Sequence, residues 1–148
     1  NQLWDSHGGI ISRLPAACRK VDRPATALVK DLKQRGLLDD TVVHWGGEMG
    51  RLPVVQNDAG RDKIGRDHNT YGFSMWVAGG GFKPGYVHGK TDDWGHHAVE
   101  DIVNHFDYHA TLLHLFGLRH DELTFHRSNK DQTLTDGQPG KVIDALLS

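Results

Sequence analysis

Hydrophobic positions along the chain alternate between two spacings. From Val21, apolar residues recur three and four positions apart, with Ala27, Leu28 and Leu32 on one face. This predicts a helix opened by Val21-Asp22-Arg23-Pro24, with Asp22 as N-cap and Pro24 in the first turn. Gly36 closes it as a natural C-terminal glycine. Leu37 to Asp40 turns the chain into Thr41-Val42-Val43-His44-Trp45, a β-branched and aromatic run that predicts a buried strand. Gly46 to Arg51 is a glycine-rich exit. Residues 51–70 show no period and are expected to form a loop. Gly72 to Ala78 predicts a second strand, ended by Gly79-Gly80-Gly81, and Tyr86 to Gly89 a short strand or hairpin arm. Asp107 is placed to cap a helix from Tyr108 to Phe116, with Ala110, Leu112, Leu113 and Leu115 inward and Gly117 as its stop. Gly137 to Gly140 is a turn, and Val142 to Leu147 a closing helix or strand. Helix, turn, buried strand and glycine-rich exit together suggest an α/β sheet in a single domain.

Composition narrows the function classes. Lys+Arg total 17 and Asp+Glu 19, a formal charge of -2, which argues against a nucleic-acid binder. No apolar run approaches the ~18 residues of a membrane span. Cys18 is the only cysteine, so neither an internal disulfide nor a cysteine-based zinc cage is expected. Eleven histidines in 148 residues are unusual, and they are dispersed rather than run together as in a tag.

Several segments carry candidate chemistry. Asp5 and His7 place a carboxylate and an imidazole two residues apart, within reach of one metal ion or of each other. Glu48 and Arg51 follow the first strand, where open α/β sheets bind ligands. Arg51 offers a guanidinium suited to an oxyanion. Arg66, Asp67 and His68 precede the second strand, and imidazole is a common zinc ligand. His96 and His97 follow the acidic pair Asp92 and Asp93. His105, His109 and His114 are expected on a helix surface or in its packing, and His120 and His126 in an exposed polar tail. There is no H-E-x-x-H helix, nucleophile elbow, Walker loop or dinucleotide fingerprint.

The string Asp31 to Val43, followed by Gly46-Gly47-Glu48-Met49-Gly50-Arg51, resembles a sulfatase-like bacterial family within the alkaline phosphatase superfamily. The resemblance continues through Gly65 to Asn69, Ala78 to Gly81, Tyr86 to Asp92, His97 to Glu100, Asp107 to Leu118 and Leu134-Thr135-Asp136. It implies the C-terminal portion, residues 1–148, of a three-layer sandwich around a mixed, mainly parallel sheet. It also implies a metal-dependent hydrolase of sulfuric or phosphoric esters, small-molecule or polysaccharide, exported or periplasmic. By order along the chain, Asp5, His7 and His68 fill metal-ligand roles, with Asp67 as neighbour or ligand and His97 behind them. Arg51 and Arg66 would offset charge on the transferred group. The ion would be zinc or calcium. Glu48 stands where that template has Asp, and Met49 where it has His. Methionine is a poor ligand for a hard ion, so a single metal, or a different one, is expected. The nucleophile would lie upstream of Asn1, so the chain alone would bind metal weakly or not at all and turn over nothing. The competing expectation is a non-catalytic binding module that kept the fold and lost the full metal centre.

Overall fold

A computed structural model describes residues 3–56, 60–135 and 137–148; Asn1 and Asp136 lie outside them. The element order begins with α1 (Ile10–Gln34), β1 (Val43–Trp45), β2 (Gly50–Arg51), β3 (His68–Asn69) and β4 (Trp76–Ala78). It continues with β5 (Lys90–Thr91), β6 (Ala98–Glu100), α2 (His105–Leu115), β7 (Thr124–Arg127) and β8 (Lys130–Thr133). A single 3₁₀ turn, Asp144–Leu146, follows, and Leu147 bridges to Phe82.

The expected parallel-sheet sandwich is not what forms. The described strands pair two by two, β1 with β4, β2 with β3, β5 with β6 and β7 with β8, every pair antiparallel. The physical reason is length. No described strand exceeds four residues, short of the usual length of about five to six, and each pairs along one edge only. The exposed surface, 10,821 Å², is well above the roughly 7,500 Å² expected of a compact monomer of this mass. The buried apolar side chains are correspondingly few among the described residues: Ala17, Phe82, Tyr108 and Ala110.

The first strand is thus corrected too. Val43 is half-buried, but His44 and Trp45 are exposed, because only one strand flanks them. Trp45 instead stacks across the ladder on Trp76, and Trp4 meets it edge-on. The stretch expected as loop contains β2 and β3. Tyr86 to Gly89 forms no strand; pairing begins at Lys90.

α1 starts at Ile10, well before Asp22, and carries Pro15 and Pro24 within it. Its N-terminus has no side-chain cap, since Gly9 stands there in a left-handed conformation. Its C-terminus is as expected. Gly36 adopts φ 68°, its N–H reaches Lys33 O, and Leu37 N–H reaches Leu32 O. That double bond is the Schellman closure, which needs a positive φ that glycine takes without strain. Gly117 closes α2 in the same way: its N–H reaches His114 O, and the Leu118 N–H reaches Leu113 O.

The start of α2 is corrected by three residues. Asn104 is the N-cap, accepting the Asp107 N–H at 2.9 Å, while Asp107 receives the Asn104 N–H. Asp107 is the third-position partner of a capping box. Its other oxygen accepts the Lys141 N–H, and buried Thr111 accepts that of Ile143. These bonds dock the C-terminal segment on α2. Tyr108 reaches back to β1, where its hydroxyl pairs with His44 Nδ1, and its burial pushes the phenol up. His105, His109 and His114 are exposed on the helix. His120 is half-buried against Gly140, not free in a tail, and His126 pairs with Asp131 across the β7–β8 hairpin.

Candidate metal centre

Two distant segments build the site by running alongside each other. Ser6 O accepts the Arg66 N–H at 3.1 Å, and Ile64 O accepts that of Ile10 at 3.0 Å. Gly65 lies so close that a Cβ there would overlap the His7 carbonyl, so only glycine permits this approach. The β2–β3 ladder then sets Arg51 opposite His68, and the Leu52 N–H to Asp67 O bond extends it.

Buried Asn69 fixes the far side. Its amide donates to Gly72 O and His96 O, and its oxygen accepts the Tyr71 N–H. A fully buried amide is costly unless paired, and here it ties its own turn to the His96 segment.

The result is a convergence on one oxygen. Asp5 Oδ1 lies 2.9 Å from His7 Nε2, 3.1 Å from His68 Nε2 and 2.6 Å from Arg51 Nη2. The ligand atoms of Asp5, His7 and His68 all fall within 4.8 Å of one another. Arg51 first, and His68 next, hold the Asp5 carboxyl down at about 2, against the usual 3.8. The Asp5 side chain is 22% exposed, whereas those of His7 and His68 are 39% and 43%. The site is therefore an open rim, reachable from solvent.

Two further side chains border the cluster. His7 Nδ1 faces Gln56 Oε1 at 2.7 Å. Both ring nitrogens of His7 thus face oxygen. Asp67 accepts the His68 N–H at 2.8 Å and stands 3.8 Å from His7 Nδ1. It is a neighbour of the cluster rather than one of its three converging ligands.

The other expected site residues lie elsewhere. Glu48 is exposed beyond β1 and is not among the clustered groups. His97 pairs with Asp92 at 3.4 Å and packs on Tyr71. Asp92 itself accepts the N–H groups of His96, His97 and Trp94, which hold its carboxyl below the usual range. Arg66 contributes its backbone: its carbonyl accepts a bond from Arg51 at 3.3 Å, while its side chain is exposed. Gln56 and Asn69 were not singled out from the sequence; lone neutral amides in an aperiodic stretch carry no pattern that marks them.

Beside the cluster lies a depression of about 330 Å³. Arg51 belongs to both, and the rest is lined by glycines 47, 50, 72 and 95 with Met49, Phe73, Ser74 and Thr91. Gly50 and Gly72 permit close packing, since a Cβ on either would meet a neighbouring segment at 2.7 Å.

Residues 1–147 match the model of a family described as a protein of unknown function, DUF1501. The chain belongs to that family. No curated protein matches it, and no solved structure does. The sulfatase-like assignment within the alkaline phosphatase superfamily is corrected by this result: the family shown is one of unknown function, and the paired antiparallel strands are not that superfamily's sandwich. No helix among the described residues is long and apolar enough to cross a membrane.

Proposed function

We infer that the chain holds a divalent metal ion at Asp5, His7 and His68 and serves hydrolysis of a phosphate or sulfate ester. The observation behind this reading is the convergence of two imidazole nitrogens on one carboxylate oxygen from segments some sixty positions apart. Surface ion pairs do not ordinarily recruit three segments to one oxygen atom.

The donor set suits zinc, which takes nitrogen and carboxylate ligands in small number. Calcium gathers roughly six to eight oxygens, and the described residues of this rim offer far fewer. A bound ion of this kind polarises an ester oxygen and lowers the pKa of bound water. The chain's own groups do the rest. Gln56 orients the His7 imidazole, Asp67 anchors the His68 backbone, and Arg51 stands where the cluster meets the glycine-containing depression, the place for a substrate's oxyanion.

A second reading has its own support. Arg51 already balances the Asp5 charge, so the cluster is also a self-sufficient polar clasp, as a non-catalytic binding module would use. Titration with phenylphosphonate, a stable ester analogue, separates the two. Binding that requires zinc, and is lost on chelation, is expected of the hydrolase. Binding of the analogue with the same affinity in excess chelator, or none at all with zinc present, would favour the module.

A further inference from the structure

The three partners of Asp5 Oδ1 are not equivalent. His7 and His68 present nitrogens that a metal ion can share with the carboxylate. Arg51 presents a fixed positive charge, which cannot ligate and which repels a cation at the same oxygen. A divalent ion at Asp5 and the Arg51 contact at 2.6 Å therefore compete for one atom. At such a separation like charges interact strongly in a partly buried setting.

Arg51 has somewhere to go. It already lines the depression on the other side, together with Ser74, Thr91 and the glycines. Its second tether is a single bond to the Arg66 carbonyl at 3.3 Å, the longer of its two contacts. Turned away from Asp5, the guanidinium would present its paired N–H groups to that space, a geometry that matches an oxyanion. Glycines 47, 50, 72 and 95 leave stretches of backbone uncovered there, between the side chains of Met49, Phe73, Ser74 and Thr91.

We propose that Arg51 is a metal-gated oxyanion receptor: loading of a divalent ion at Asp5, His7 and His68 displaces it into the adjoining depression, where it binds the substrate's anionic group. This rests on the metal-site reading above and adds to it the order of binding and the sign of the coupling. Since binding free energies are linked, an oxyanion in the depression also tightens the metal by the same factor.

The test is calorimetry on the purified chain with zinc chloride and with sodium sulfate, each alone and then together. Zinc is expected to tighten sulfate at least about fivefold, and sulfate to tighten zinc equally. In Arg51→Ala, zinc alone should bind more tightly than in the wild type, because the competing charge is gone, while its effect on sulfate disappears. Arg51→Lys, which keeps the charge, guards against a folding defect and should retain part of the coupling. If Arg51→Ala binds zinc no more tightly, or zinc-dependent sulfate binding survives in it, the gating is overturned while the metal site stands. If the folded wild type binds no zinc, both fall.

Discussion

Two carboxylates in this chain each sit beside a pair of histidines, and their oxygens are used differently. Asp92 is enclosed by its own loop. Its acceptors are filled by the N–H groups of His96 at 2.8 Å, His97 at 3.0 Å and Trp94 at 3.2 Å, all within five residues. Asp5 accepts from side chains brought by other segments, Arg51 and His68 among them. The first arrangement shapes a turn. The second leaves a carboxylate oxygen facing movable donors on an open rim, which is what a ligand site needs. Two histidines near an acid therefore say little until the acid's own partners are known.

The comparison can be broken most forcefully at Gly65. A Cβ there meets the His7 backbone, so Gly65→Ala should pull the two segments of the Asp5 cluster apart. Loss of zinc binding by about a hundredfold or more is expected, read by calorimetry, with the Asp92 loop's NMR signals unshifted. A smaller step removes single ligands. His68→Ala should weaken zinc by roughly tenfold to a hundredfold, whereas His97→Ala should leave it unchanged. Metal content of the two purified variants, measured side by side, checks this; equal loss in both would erase the distinction drawn here.

Asp92→Asn is expected to lower the thermal midpoint by a few degrees, because it weakens three backbone bonds to a charged acceptor, and to leave zinc stoichiometry intact. The smallest effect is on acid titration. Asp5 is held near 2, below the unfolded value of 3.8, so its contribution to stability is present above that value and fades as pH falls toward 2. Carboxyl NMR should find Asp5 still ionised at pH 3. A midpoint near the ordinary value would mean the Arg51 contact does not persist in solution.

The sequence was most readable where local chemistry decides. Gly36 and Gly117 were expected to stop their helices, and both do so with positive φ and paired closing bonds. Asp107 was expected as a cap, yet Asn104 takes that place three residues earlier, since asparagine and aspartate are equally good N-caps and both precede the helical run. The start of α1 had no signal at all: a left-handed Gly9, no acidic first turn and two internal prolines conceal a 25-residue helix. The β-branched run at Thr41 to Trp45 reads as buried, but burial depends on what covers a strand, and here one short partner does.

The candidate site shows the same division. Asp5, His7 and His68 were legible because their side chains are metal ligands by type, and the structure brings them together. Glu48 and His97 are ligands by type as well, and they are placed apart from the cluster, because neither spacing nor residue type encodes which turn faces which. Arg51 was expected to offset charge on a transferred group; the structure pairs it with the Asp5 carboxylate, beside a two-residue ladder that the aperiodic stretch gave no hint of.

Zinc titration of the wild-type chain against Asp5→Asn tests the central claim most directly. One zinc per chain, bound in the wild type and lost in the variant while both remain folded, is the result predicted. Equal zinc binding by the two proteins, or none by a folded wild type, would contradict a metal centre at Asp5, His7 and His68.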